Sequence, residues 1–562
     1  MKQSFTEWTK SGSPWVWLNA GAVAICMIMV VGLLFMIAVR GLGHFWPANV
    51  VQANYVQNEK AVVMAGELVE AVDVPAEQLR DAGIPIEEGV ESLRRDLMKV
   101  GNRDVGGSDF IWLLDRYLQD RTYPEMLFVA ERREWGNFYG YLRSIKQNGE
   151  EVGRYEGHAK TDEYMTLWLD FEARIERALE IHEQIADIEK HEIGAINYEL
   201  ERLRLQQRAL ELKEVTEATP YNEIDERRKQ LHADYEVLQK DLLALYEQFN
   251  RDAITAVTAD GKEVEIALSK IVRIFLPNNM GLMAKIGHYF GKIWEFLSED
   301  PREANTEGGI FPAIFGTVMM VILMSIMVTP FGVVAAVYLR EYAKQGFVTR
   351  LIRIAVNNLA GVPSIVYGVF GLGFFVYFLG GHIDDLFFPE AKPSPTFGTP
   401  GLLWASLTLA LLTVPVVIVA TEEGLTRIPR AMREGSLALG ATKFETLWKV
   451  VLPMASPAMM TGVILAIARA AGEVAPLMLV GVVKLAPSLP LDGNYPFLHL
   501  DQKFMHLGFH IYDVGFQSPN VEAARPLVYA TALLLVAVIA LLNLSAIAIR
   551  NHLREKYKAL EM

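Results

Sequence analysis

Residues 434–453 read EGSLALGATKFETLWKVVLP. The stretch lies between two apolar runs, about 401–420 and 461–482, and its own character is amphipathic. Glu434 to Leu439 suits a short helix, and Gly440 permits a turn or a close approach that a side chain would block. A second helix is expected from about Lys443 to Leu452-Pro453, where proline is expected to end it before the next apolar run. A short polar helix pair between two hydrophobic runs is a loop at a membrane surface, so the surrounding chain is read as membrane-spanning.

Six runs are long and apolar enough to span: about 15–39, 310–336, 358–380, 401–420, 461–482 and 526–549. Each is near the roughly 20 residues that a bilayer requires. The third is crowded at its start by Asn357, Asn358 and Pro363, and the fifth carries charge. The first follows Lys2 and Lys10 and is too long for a signal-peptide core, so it is expected to remain as an anchor. With the N-terminus placed in the cytoplasm, segments 1–14, 337–353, 421–460 and 550–562 hold fifteen Lys and Arg, among them Arg340, Arg427, Lys449, Lys556 and Lys558. The short outer loops hold four: Lys392, Lys484, Lys503 and Arg525. This positive-inside bias puts both termini in the cytoplasm and residues 41–305 outside.

Residues 41–305 carry 50 acidic and 32 basic residues. That balance excludes nucleic acid, whose binding requires a basic footprint. The one cysteine, Cys26, lies in the first apolar run, so no disulfide forms within the chain. Residues 162–250 read as a coiled-coil hairpin. Its second half repeats Leu231, Tyr235, Leu238, Leu242, Leu245 and Phe249 at alternating spacings of four and three. Its first half carries Phe171, Ile175, Ile185, Ile188, Ile196, Leu200 and Leu203, and the turn is expected at Glu217–Asn222, around Pro220. Residues 252–275 alternate about Asp260-Gly261, a hairpin signal, and 125–155 offer further strands. Leu282, Ile286, Phe290, Ile293 and Leu297 share a helix face suited to a membrane surface. The segment is thus a mixed α/β domain, either scaffold or docking surface. No catalytic or metal cluster emerges from His158, His182, His191 and His232, which are scattered.

The 434–453 stretch resembles the EAA signature of ABC importer permeases: E-A-A, three residues, G, nine residues, I-x-L-P. Glu434, Gly440, Leu452 and Pro453 hold the matching positions, while Gly435 and Ser436 replace the alanines and Val450 the isoleucine. Residues 357–368 (NNLAGVPSIVYG), 416–423 (VVIVATEE) and 468–476 (ARAAGEVAP) sharpen the likeness. Together they resemble the phosphate-specific (Pst) importer family, and most its A-type permease subunits, over roughly residues 308–550.

The resemblance implies an α-helical polytopic membrane protein with the type I ABC permease fold, into which the mixed domain is inserted. Residues 1–40 would be the cytoplasmic tail and first span, 41–305 the extracytoplasmic insertion, 306–550 the permease domain with a coupling loop at 421–460, and 551–562 a cytoplasmic tail. It also implies a bacterial inner-membrane location and three kinds of partner besides lipid: a related C-type permease, two ATPase copies and an extracytoplasmic phosphate-binding protein. No G-x-x-x-x-G-K-[ST] phosphate loop occurs in the chain, so ATP and magnesium are assigned to the ATPase and no cofactor to this chain. Glu434 and its neighbours would couple the spans to that ATPase.

Arg469 and Glu473 fall in the fifth apolar run, four residues apart and so on one face of a helix. A charge at mid-membrane costs about 2.5–3.5 kcal/mol on insertion scales and calls for a partner, water or a function. The arginine fork suits an oxyanion. A neighbouring carboxylate accepts a hydrogen bond from protonated phosphate, which sulfate does not offer at neutral pH. Two readings stand: a transient phosphate site on the pathway, or a mutually satisfied pair joining helices. Asn357, Asn358 and Ser364 either line the same path or join helices by hydrogen bonds. Glu422 and Glu423 are expected to cap the loop or pair with Arg427. Sulfate, molybdate or phosphonate are competing substrates, and a membrane sensor or scaffold is the reading from a different class.

Overall fold

The computed structural model describes residues 11–57, 60–81, 83–87, 89–157, 159–518 and 521–557. The N-terminal tail with Lys2 and Lys10, together with His158 and Lys558, lies outside the described residues.

Six helices have the length and apolar content to cross a membrane: Pro14–Gly43, Phe311–Tyr342, Ser364–Phe387, Leu402–Arg427, Lys443–Ala471 and Ala524–Glu555. The fourth is central, with 67% of its most apolar window buried, whereas that of the first is wholly bare. Small residues let the helices approach. A Cβ on Gly462 would lie 2.7 Å from Ala420, one on Gly424 2.5 Å from Ala458, and one on Gly332 2.6 Å from Val417. In lipid, such close contact between backbones is what holds spans together. The first span meets the sixth at Gly41, where an added Cβ would lie 2.9 Å from the Tyr529 carbonyl.

Two expected spans are displaced. The third begins at Ser364, because Pro363 separates it from an amphipathic helix that ends at Leu359 and holds Asn357 and Asn358. The fifth runs from Lys443 to Ala471 instead of 461–482. Pro453 does not end a helix. The turn before it, Leu447–Val451, is a π-turn, and the helix Leu452–Ala471 continues from it. A widened turn accommodates the ring and the missing donor of proline.

Residues 50–275 build two antiparallel sheets. Strands β1 (Val50–Gln57), β2 (Lys60–Pro75), β3 (Ser92–Lys99), β4 (Phe110–Leu114) and β5 (Leu118–Thr122) form the first, in the order β4-β3-β2-β1-β5. Its presence was not foreseen from the sequence. The second is ordered β10-β9-β7-β6-β11, from β6 (Phe128–Arg132), β7 (Phe138–Gln147), β9 (Asp252–Val257), β10 (Glu263–Ala267) and β11 (Ile271–Phe275), with β8 (Glu150–Arg154) on β7. β9 and β10 turn at Asp260-Gly261, where Gly261 has φ 85°.

An arm of helices α1 (Asp162–Asp187), α2 (Gly194–Leu212) and α3 (Ala218–Phe249) projects from the second sheet. Tyr164, Trp168 and Phe171 anchor its base on Phe128 and Phe138. Ile196, Leu203, Ile224 and Leu231 join its distal halves. The turn falls at 213–217, with Glu214 at φ 50°, and Pro220 lies in the first turn of α3, where a missing N–H costs no hydrogen bond. The arm folds over the permease domain: the Tyr198 hydroxyl donates to the Tyr495 carbonyl, and its ring meets His499 edge-on at 6.0 Å. Helix α4 (Leu282–Ser298) then leads to the second span.

Candidate translocation and coupling sites

Spans four and five are antiparallel, and the contacts of Gly462 and Gly424 set their register. Counting seven residues on from Gly462, at about 1.5 Å each, puts Arg469 level with about residue 412. That is near the middle of Leu402–Arg427. Helix five ends two residues later, at Ala471. Gly472, exposed, is its cap, and Glu473 therefore lies beyond the helix, contrary to the expectation of one shared helical face. Proximity survives the break: Arg469 Nε lies 3.9 Å from Glu473 Oε1, an ion pair longer than a hydrogen bond. Their side chains keep 32% and 22% exposure, so each still reaches open space.

The chain past the break runs alongside the first half of span four without a span-length helix. A four-residue turn, Leu477–Val480, brings Gly481 to the start of span four, where the Gly401 amide donates to the Val480 carbonyl. Non-helical backbone at membrane depth is tolerated where protein buries it or where it lines a water-filled cavity. Protein supplies one wall here: a Cβ on Gly368 would lie 2.7 Å from Pro476. The two quoted segments 357–368 and 468–476 thus meet. Tyr367, buried beside them, donates to the Leu359 carbonyl at 2.7 Å. Asn357 and Asn358 are exposed and Ser364 is half-buried.

At the other end of span five, residues 430–446 form the loop helices. Helix α5 (Arg430–Ala438) carries Glu434 on its exposed surface and ends before Gly440, whose φ of 89° requires glycine. Thr442 and Glu445 form a capping box that starts the next helix. Arg433 pins α5 to the membrane domain, donating to the Leu425 carbonyl at 2.7 Å and to Glu341 at 3.0 Å. Glu422 pairs with Arg353 at 3.3 Å instead of Arg427, which lies 3.9 Å from Glu423. Leu452 and Pro453 lie within the continuous fifth helix, past the π-turn.

The sequence reading missed an apolar patch around Glu434. Leu439 is 91% exposed, and Phe444 and Trp448, both 65% exposed, stack at 6.2 Å. The signal was present as aromatic residues four apart in a helix that also carries Lys443, Glu445 and Lys449, but helical spacing alone does not say which face has a neighbour.

The model of binding-protein-dependent transport system inner membrane components matches residues 328–559. The probable ABC transporter permease protein YqgH of Bacillus subtilis is 32% identical over 233 residues, 41% of this chain and 71% of that one. The phosphate transport system permease protein PstA 1 of Mycobacterium tuberculosis is 35% identical over 247 residues, 43% of this chain and 71% of that one. The chain belongs to this family of inner membrane transport components. A further relative, the probable phosphate transport system permease protein PstA of Methanocaldococcus jannaschii, is 31% identical over 221 residues, 39% of this chain and 67% of that one. This permease carries its two sheets and helical arm wholly ahead of the family match.

Proposed function

We propose that this permease moves inorganic phosphate into the cytoplasm as one of two membrane subunits of an ATP-driven importer. Relatives named as phosphate transport permeases, 31–38% identical, carry the substrate reading. The loose Arg469–Glu473 pair at a mid-span helix break supports it. With an anion present, the guanidinium is placed to turn from Glu473 to phosphate oxygens, a charge-assisted and geometrically matched contact. Glu473 then accepts from the phosphate hydroxyl. Asn357, Asn358 and Ser364 are neutral donors in the segment 357–368, which meets 468–476 where Gly368 approaches Pro476.

The remaining roles follow the same reading. A related C-type permease completes the path, and two ATPase copies bear ATP and magnesium. A soluble phosphate-binding protein delivers substrate to the outer face, where residues 41–305 stand, and both termini are cytoplasmic. Glu434, Gly440 and the Leu439–Phe444–Trp448 patch seat the loop in the ATPase.

ATP-dependent uptake of radiolabelled phosphate by vesicles bearing the full complex tests the reading. Uptake that excess sulfate leaves unchanged supports it, and so does its loss in Arg469→Ala when the complex still assembles. Normal uptake in that variant overturns the pathway role. Absence of phosphate uptake from an intact complex overturns the substrate and makes another oxyanion the next candidate.

A further inference from the structure

Helix α4 presents three faces, and each has a different neighbour. The first is apolar and turned inward. Tyr289, Ile293, Phe296 and Leu297 pack in one cluster with Phe45, Ile310, Ala313 and Leu527. Those four residues mark the end of the first span and the beginnings of the second and sixth. Helix α4 is therefore level with one boundary of the membrane, reached by three separate chain segments.

The second face is polar and turned to the sheets. Lys292 Nζ lies 2.8 Å from Glu131, Glu295 lies 2.9 Å from Arg273, and the His288 ring meets Phe275 at 4.5 Å. The third face is apolar and turned outward. Met283 is 80% exposed, Phe290 64% and Trp294 71%. These positions are seven and four apart and line one stripe. Gly287 and Gly291 between them have nothing within 4 Å of where a Cβ would stand, so among the described residues no neighbouring element lies close over them.

We propose that this outer stripe is immersed in the lipid–water interface, making α4 a collar that fixes residues 50–275 at a set height on the membrane. A helix of 17 residues is about 26 Å long, enough to lie along the boundary as interfacial helices do. The aromatic content matches the position. Trp46, three residues past the first span and partly exposed, stands 5.8 Å from Tyr289, and Phe290 and Trp294 continue the belt. Lipid is the occupant because α4 is held level with the ends of three spans, where the tryptophan and phenylalanine of the stripe match the membrane interface. The inference is independent of which solute is transported.

The test places single spin labels in the full complex in phosphatidylcholine–phosphatidylglycerol nanodiscs. In a Cys26→Ala background, labels at Met283→Cys, Phe290→Cys and Trp294→Cys are compared with Ile28→Cys on the first span and Leu243→Cys on the arm. Collision with oxygen and with a water-soluble nickel chelate is measured for each. The proposal expects the oxygen-to-nickel ratio at the three α4 sites to exceed that at Leu243 several-fold, without reaching the value at Ile28. A ratio equal to that at Leu243 overturns it in favour of a water-facing stripe. Low collision with both reagents overturns it in favour of a covering protein. Should the labelled chains not assemble, fluorescence quenching by lipids brominated near the headgroup is compared between the native chain and Trp294→Phe. A smaller quenched fraction in Trp294→Phe supports lipid contact, and an equal fraction overturns it.

Discussion

Arg469 is where the geometry is most sensitive to side-chain chemistry. Its guanidinium presents five N–H donors in a planar fork, while lysine offers a point charge. Arg469→Lys is expected to lower apparent phosphate affinity by roughly tenfold or more, the value of one charged hydrogen bond, read from the concentration dependence of uptake. Gly462 is sensitive for the opposite reason. Its missing Cβ is the contact between spans four and five, so Gly462→Leu is expected to destabilise by about 2 kcal/mol or more and to lower the yield of assembled complex in detergent. Both residues were quoted or spanned by the sequence reading, yet only Arg469 announced itself. A charge in an apolar run is visible as a rule broken, whereas a glycine at a helix crossing looks like any other until its neighbour is known.

Among the elements, α5 with the turn after it and α4 invite separate perturbation. Leu439 and Trp448 are exposed, so Leu439→Asp with Trp448→Asp is expected to leave folding within about 0.5 kcal/mol of the native chain while abolishing co-purification of the ATPase. Retained ATPase with both substitutions overturns the coupling role of the patch. Helix α4 depends on Glu295, which is 3% exposed and bridges Arg273 at 2.9 Å, Lys292 at 3.1 Å and Arg302 at 2.5 Å. Removing this one anion strands Arg273 and takes a shared partner from Lys292 and Arg302, which keep Glu131 at 2.8 Å and Glu299 at 3.8 Å. Glu295→Ala is expected to cost about 3 kcal/mol and to speed proteolysis between residues 275 and 311. The helix itself was legible from its apolar spacing. Its division into three faces was not, because the sequence shows amphipathicity but cannot tell an apolar residue packed on the spans from one turned to lipid.

For the whole molecule, the buried residues His506 and His510 set a pH response. Burial lowers both to about 4. Each is neutral in the folded chain over a range where the unfolded chain takes a proton. Stability is therefore undiminished above about pH 6.5 and falls as pH drops toward 4, where the folded groups begin to protonate. Thermal unfolding of the complex is expected to show this decline, and His506→Gln to flatten part of it.

Six span-length helices, the short helices about Gly440 and the mixed α/β domain were readable from the sequence, because apolar run length, the spacing around Gly440 and the alternation about Asp260-Gly261 are local properties of the chain. What only the tertiary structure decided lies in the joints. Pro453 is carried inside a continuous helix by the π-turn before it. The fifth span stops at Gly472, level with the middle of span four, and Gly401 and Gly368 receive the chain that follows. The first sheet and the resting place of the arm on Tyr495 and His499 depend on partners tens to hundreds of residues away. Such contacts are set by which surfaces meet, and no periodicity within a segment encodes them.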